Sequence, residues 1–257
     1  PVVRHIGDRV AAIVAETAEI ASRAAALIKV EYEELPAFFS AADALAAEGD
    51  MGAGDTDPTD MNLVDETLFD YGDTESALAA ADLVVETTVT TPRTHHCAIE
   101  NHTCVAMPED DGRILILSPC QSIFSVQMVS ARALGIAAAQ IRVVKSPIGG
   151  SFGGKAEPVL DPLCAYFARE LGRAVRLSFD RVETFTATRT RSGATGHIKT
   201  AVDRDGRILA RDTEVLVDVG AYTTGGIFLP GSMSQRLCQL YDIDSQRYRG
   251  RAVRTNT

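Results

Sequence analysis

The chain reads as an α+β protein. Alternating apolar runs around Asp111-Gly112 and Asp205-Gly206 are hairpin signals, and antiparallel hairpins dominate the pattern. Amphipathic runs stopped by Gly135 and Gly172 read as helices set among those hairpins. Strand and helix do not alternate one for one, which argues against a doubly wound parallel sheet. The 257 residues suffice for one large or two medium domains with a sizeable core.

Taken in order, residues 8–16 ("DRVAAIVAE") read as a strand. A helix follows in "TAEIASRAAALIK", with Thr17 as N-cap and Glu16 and Glu19 near its positive end. Residues 28–35 alternate as a second strand, and Pro36 limits its extension. Residues 47–73 carry many acids, Gly and Asp-Pro without periodicity, so they read as an acidic connector between two domains. Residues 74–83 form a short helix and 83–92 a β-rich strand. Residues 103–118 are a hairpin. Residues 121–135 are an amphipathic helix with Ile123, Val126, Met128, Val129 and Leu134 apolar. A strand at 141–145, a glycine loop, a helix ending in "RELG", a strand at 173–180 and a long hairpin over 196–222 complete the pattern. The chain opens inside what reads as a strand and stops at "RGRAVRTNT" without a closing element, so it reads as a fragment of a longer protein.

Net charge is −10, which argues against nucleic acid as a partner, because phosphate binding needs a basic face. No apolar run approaches the roughly 20 residues needed to span a bilayer, so no membrane association is expected. The five cysteines, Cys97, Cys104, Cys120, Cys164 and Cys238, form no CxxC and no even framework. Reduced thiols and a cytoplasmic location are the expectation.

The most informative stretch is "SPIGGSFGGKAEP", residues 146–158. Strand, glycine loop and helix form the layout of a loop that presents backbone N–H groups to a charged ligand. Gly149 to Lys155 fits G-x-x-x-x-G-K, so a nucleotide-binding ATPase or kinase loop has to be weighed. Such a loop needs a hydroxyl next for Mg²⁺, and Ala156 has none; Asp180 is the acidic strand end that would complete the site. A tight structural turn is the plain alternative. A third reading fits better: glycines flanking Phe152 let the backbone approach a ligand closely beside a dry aromatic wall. His95, His96 and His102 with Cys97 and Cys104 raise the question of a metal cluster, yet their spacings match no closed zinc pattern.

The segment from "IRVVKSPIGGSFGGK" to "ETFTATRTR" resembles the molybdenum-binding subunit of the xanthine dehydrogenase and aldehyde oxidase family, and most of all its bacterial xanthine dehydrogenase-like subunits. The family's GGxFGG[KN] loop is matched at 149–155, and its upstream Gln at a strand end is matched by Gln121 in "SPCQ". "HHCAIENHTCVA" is similar to a family segment through His96, Glu100 and His102. "DGRILARDTEVLVDVGAY", "GRAVRTNT" and the opening "GDRVAAIVAETAEIASRAAALIKVEYEELPA" match as well, in the right order.

The resemblance implies residues 1–46 as the end of an α/β hammerhead domain, 47–73 as the connector, and 74–257 as the first part of a molybdenum cofactor-binding domain. It implies a molybdenum hydroxylase that oxidises a purine-like N-heterocycle or an aldehyde with water as oxygen source. A nicotinate dehydrogenase type, an acyl-CoA reductase type and a non-catalytic scaffold are the alternatives. Gln121, Gly150, Phe152 and Gly153 would bind the cofactor, with Gln121 and Phe152 nearest the metal. Gln121 would donate its amide N–H to a metal oxygen, its plain alternative being a helix N-cap. Ala156 stands where purine-oxidising members often carry Glu or Gln, and alanine cannot hydrogen-bond a purine, so it would face a different or more apolar substrate. Glu100 and His102 would be a buried polar pair that orders its segment. The catalytic base, a glutamate, would lie beyond Thr257. The cofactor would be molybdenum-molybdopterin, with room for a cytosine dinucleotide form. [2Fe–2S] and FAD groups would sit on partner chains or domains of a hetero-oligomer.

Overall fold

A computed structural model describes residues 2–47 and 62–257. In chain order the first elements are α1 (Ala18–Ala25), α2 (Ala41–Ala46), β1 (Leu63–Tyr71), α3 (Thr74–Ala80), β2 (Leu83–Thr91), β3 (Thr103–Pro108) and β4 (Ile114–Ser118). They are followed by α4 (Ile123–Leu134), β5 (Ile141–Lys145), α5 (Asp161–Leu171), β6 (Val175–Ser178) and α6 (Arg181–Thr186). β7 (Gly193–Val202), β8 (Ile208–Gly220), α7 (Leu229–Gln239) and β9 (Ser245–Arg254) end the series. Among the described residues no helix is long and apolar enough to cross a membrane.

The chain divides into two compact units, each assembled from separate stretches. One comprises the described residues of Pro1–His5, Glu33–Thr94 and Arg191–Thr257. Its five-stranded sheet has the order β1-β9-β8-β7-β2, with β8 and β9 parallel and the other pairs antiparallel. Val215, Val217 and Val219 of β8 pack with Tyr248 and Ala252 of β9 against Leu229, Met233 and Leu237 of α7.

The other unit comprises Ile6–Tyr32 and His95–Thr190. Its four-stranded sheet has the order β5-β4-β3-β6. Alternation in β4 buries Ile114 and Ile116, and Ala106 and Cys104 of β3 lie beside them. Val126, Ala131 and Leu134 of α4 and Cys164, Ala165 and Ala168 of α5 close this core. Both helices end as the glycines require, with Gly135 and Gly172 at φ 66° and 60°.

Several sequence expectations change. Residues 8–16 and 28–35 form no strand, because neither finds a ladder partner among the described residues. Of that expected strand–helix–strand unit only α1 forms, capped by Thr17 Oγ1 at 3.2 Å from Ile20 N. Part of the expected connector, residues 63–71, is strand β1, and its residues 48–61 lie outside the described residues. Residues 249–254 of the tail belong to β9, which is paired on both sides. Met128 and Val129, expected on the apolar face of α4, are exposed.

Candidate functional site

Topology brings the glycine loop and Gln121 together. β4 and β5 are parallel, with Ser118 opposite Lys145, so both end at one edge of the sheet. Gln121 follows β4 and the loop follows β5. Ligand sites in parallel sheets gather at the carboxyl ends of strands. β3 runs antiparallel to β4, so His102, just before β3, starts at the same edge. The 95–102 segment therefore joins the loop from the third strand.

The loop is tied down on one side by that segment. The Glu100 carboxylate accepts from the Lys155 ammonium and from the Gly149 N–H, the latter at 2.9 Å. A Cβ on Gly149 would stand 2.8 Å from Glu100 Cβ, so only glycine admits this approach. His102 Nε2 lies 3.2 Å from the Gly154 carbonyl. Glu100 and His102 were expected as a pair with each other. Instead each holds a different point of the loop. Burial opposes ionisation of Glu100, but the Lys155 ammonium and the Gly149 N–H outweigh it and hold the carboxyl below its ordinary range. Burial pushes the His102 imidazole below its ordinary value, against the pull of the Gly154 carbonyl.

On the other side the loop is bound to Gln121. The Gln121 N–H donates to the Lys155 carbonyl at 2.9 Å, and its side-chain Oε1 accepts from the Ser151 hydroxyl. Ser151 Oγ in turn accepts from the Lys155 N–H at 3.0 Å. The cap of α4 is Ser122, which accepts from Ser125 N at 3.2 Å, so the Gln121 side chain is not spent as an N-cap.

Between these anchors the chain turns sharply. Gly150 and Gly153 have φ of 104° and 102°, and Phe152 between them holds φ 53°. A bulky residue there is strained, and strain of this kind gathers at ligand sites. The Phe152 ring is 67% exposed and lies over Gly150. The Gly153 N–H has no hydrogen-bond partner among the described residues. Ala156 is half-buried and donates its N–H to the Gly153 carbonyl at 3.3 Å. Glu157 is paired with Arg189 at 2.6 Å.

The wall thus offers neutral donors, the Gln121 amide and the Gly153 N–H, beside an exposed aromatic ring. Its carboxylates and its lysine are already engaged. Neutral N–H donors suit oxygen or sulfur atoms of a cofactor that must keep its own charge balance, so these residues fit a metal-pterin group. They do not fit a nucleotide triphosphate. The Lys155 side chain is buried on Glu100, Ala156 carries no hydroxyl, and Asp180 caps α6 by accepting from Glu183 N at 2.8 Å. The nucleotide reading is therefore corrected. The His and Cys residues also go separate ways. His95 Nε2 faces the Thr184 carbonyl at 3.0 Å, Cys97 is exposed, and Cys104 is buried in the core. Ser151 links the loop to Gln121, and nothing in the sequence pattern singles it out. A serine among glycines reads as turn composition, and only the parallel register shows what it faces.

Residues 56–257 match the molybdopterin cofactor-binding domain, and residues 1–36 match the a/b hammerhead domain of aldehyde oxidase and xanthine dehydrogenase. The chain is 37% identical, over 99% of its length, to a probable xanthine dehydrogenase subunit of Bacillus subtilis, and covers 33% of that relative. It is 34% identical, again over 99%, to a xanthine dehydrogenase molybdenum-binding subunit of Escherichia coli, and covers 33% of it. The chain thus spans about a third of the length of these curated relatives. Among solved structures, aldehyde oxidoreductase from Desulfovibrio gigas matches with a TM-score of 0.87 at 33% identity, covering 94% of this chain and 26% of that one. Quinoline 2-oxidoreductase from Pseudomonas putida 86 also matches at 0.87, with 28% identity, covering 95% and 31%. Both domain matches fall in the same order along the chain, and the curated relatives cover nearly all of it: the chain belongs to the molybdenum-binding, xanthine dehydrogenase-related family and carries the end of its hammerhead domain followed by molybdopterin cofactor-binding domain.

Proposed function

We propose that Gln121, Gly150, Phe152 and Gly153 form one wall of a molybdenum-molybdopterin site in an oxidoreductase that hydroxylates an N-heterocycle or an aldehyde. The observation that carries this reading is the convergence of the Gln121 amide and the strained glycine loop at one sheet edge, with neutral donors beside an exposed ring. When bound, the cofactor supplies two-electron oxidation with oxygen drawn from water. The residues of this chain bind and orient. Gln121 donates an N–H that does not titrate, Gly153 adds a backbone N–H, and Phe152 excludes water from the face it covers. Gln121 and Phe152 lie nearest the metal in this reading.

Ala156 faces the substrate and offers it no side-chain hydrogen bond. A site without a polar partner gains little from a polar ring edge, which favours quinoline-like or aldehyde substrates over xanthine. The base carboxylate is assigned to sequence outside these residues, because the carboxylates beside the loop, Glu100 and Glu157, are held in ion pairs. [2Fe–2S] and FAD groups on partner chains or domains would carry the electrons away.

The test is elemental mass spectrometry on the full-length gene product, co-expressed with its neighbouring subunits in a host that makes the pterin cofactor. Stoichiometric molybdenum, followed by turnover in a screen of purines, pyridines, quinolines and aldehydes, is the expected result. A folded complex without molybdenum would leave a scaffold role.

A further inference from the structure

We propose that Ser151 is a positioning residue that fixes which face of the Gln121 amide meets the cofactor. The inference rests on the reading of Gln121 as part of the molybdenum wall. A primary amide is nearly symmetric in shape, and a half-turn exchanges its donor NH₂ for its acceptor oxygen. Only the donor is useful toward a cofactor oxygen. Something in the protein must therefore choose between the two orientations.

Ser151 makes that choice through its own hydrogen-bond accounting. The residue is buried, 8% exposed. Its Oγ accepts from the Lys155 N–H at 3.0 Å, and its single proton is then donated to Gln121 Oε1. A buried hydroxyl proton needs an acceptor, and the amide oxygen is the one present. With Oε1 held by Ser151, the Nε2 donor of this exposed residue has no hydrogen-bond partner among the described residues, which keeps it available to the cofactor. The position of Ser151 is itself fixed. Gly154 N donates to its carbonyl at 2.8 Å, and the Lys155 carbonyl takes the Gln121 N–H at 2.9 Å. Backbone and side chain of Gln121 are thus both registered against residues 151–155. Lys155 in turn is anchored on Glu100. The geometry assigns the hydroxyl a role distinct from general loop stability, because it acts through one named atom of one neighbour.

The experiment uses the full-length subunit in its complex, loaded with molybdenum. Metal content, the midpoint potential of the molybdenum centre, and kcat and KM are measured for Ser151→Ala, Ser151→Cys, Ser151→Thr, Gln121→Ala and the double variant Ser151→Ala/Gln121→Ala. Gln121→Ala is expected to lower kcat by roughly 10²-fold, the usual cost of losing one preorganised donor, and to shift the potential. Ser151→Ala should keep its molybdenum, shift the potential in the same direction, and lower kcat by about tenfold with KM little changed, because the amide still donates part of the time. Ser151→Thr should restore both values, and Ser151→Cys, a weaker donor, should fall between. In the Gln121→Ala background Ser151→Ala should add nothing further. An equal effect of Ser151→Ala with and without Gln121 overturns the inference, and so does a loaded Ser151→Ala complex with unchanged potential and kcat. A loaded Gln121→Ala complex indistinguishable from wild type would instead overturn the cofactor-wall reading, and the Ser151 inference with it.

Discussion

Glu100 and Lys155 form the ion pair that holds the glycine loop, and the two partners are not equally wet. The Lys155 side chain is 3% exposed and the Glu100 side chain 31%. Removing the carboxylate strands a buried ammonium, whereas removing the ammonium leaves a carboxylate that water can reach. Glu100→Gln is therefore expected to cost about 3 kcal/mol, and Lys155→Met no more than about 1 kcal/mol. Denaturant unfolding of the two variants checks the asymmetry. The pH dependence has a defined sign. The Glu100 carboxyl is depressed in the folded state, so its contribution is present above its ordinary value of 4.5 and is lost as pH falls through the folded value. The gap between wild type and Glu100→Gln should close below that range; a gap that widens in acid contradicts the pairing. Phe152 gives a complementary prediction. Because its ring is largely exposed, Phe152→Glu should leave the melting temperature of the cofactor-free complex nearly unchanged. A carboxylate placed there repels an anionic metal-pterin group, so molybdenum content or turnover should be lost. Wild-type activity in that variant would refute the assignment of the wall.

At the scale of elements, β9 shows both what was legible and what was not. Its residues alternate: Gln246, Tyr248, Gly250 and Ala252 point toward the core side, while Arg247, Arg249 and Arg251 pair with Asp212, Glu66 and Glu214 on the flanking strands. The period of two was present in the sequence, but three arginines with a glycine look like a solvated tail until their acidic partners are known. Those partners lie far away in the chain, which local reading does not reach. The same cause hid β1, whose acids at 65, 66 and 70 read as connector and face β9 instead. Elements closed by local signals were legible: the Asp-Gly turns, the Thr17 cap and the glycine stops of α4 and α5. The strands read at 8–16 and 28–35 had β propensity without a partner, and propensity alone makes no ladder. The site divides in the same way. The assignment of Gln121, Phe152 and Gly153 is a proposal that a resemblance of motifs suggests, whereas the Ser151 link needs the register of β4 against β5. The packing of β9 is testable. The Tyr248 hydroxyl donates to the Pro230 carbonyl at 2.8 Å, and burial pushes its pKa up to about 12. A Cβ on Gly250 would lie 2.5 Å from that hydroxyl and 2.9 Å from Pro230 Cβ. Gly250→Ala should therefore cost about 1–3 kcal/mol by overpacking, and Tyr248→Phe about 1 kcal/mol for the lost hydrogen bond. In the double variant the cost should be less than the sum, since the tightest clash goes with the hydroxyl, while Tyr248 Cε1 at 2.8 Å and Pro230 Cβ keep part of the overpacking.

Across the whole molecule, protection should follow the two cores rather than the sequence order. One core joins β3, β4, α4 and α5, and the other joins β8, β9 and α7. Backbone groups in these ladders open only when much of their unit opens, so their amides should exchange slowest. Residues 28–35 lie between α1 and α2 with Ile28, Val30, Tyr32 and Leu35 exposed and no ladder. Their amides have no cooperative unit to protect them. Residues 8–16 are held more firmly, since Val14 packs on the β3–β6 core and the Arg9 guanidinium donates to the Val159 carbonyl at 2.6 Å. Side-chain anchors of that kind restrain a segment without sealing its amides. Hydrogen exchange followed by mass spectrometry on this chain should then give three levels: slow in β3, β4 and β8, intermediate in 8–16, and fast in 28–35. The outer two should differ by roughly 10³-fold or more, the range expected between unprotected amides and a marginally stable core. A partner strand would reverse this order, because paired N–H groups leave exchange whatever their side chains do. Slow exchange at 28–35 would show that this apolar segment pairs in solution, and dilution would reveal whether the partner is a second copy, since only an intermolecular ladder weakens as the chain is diluted.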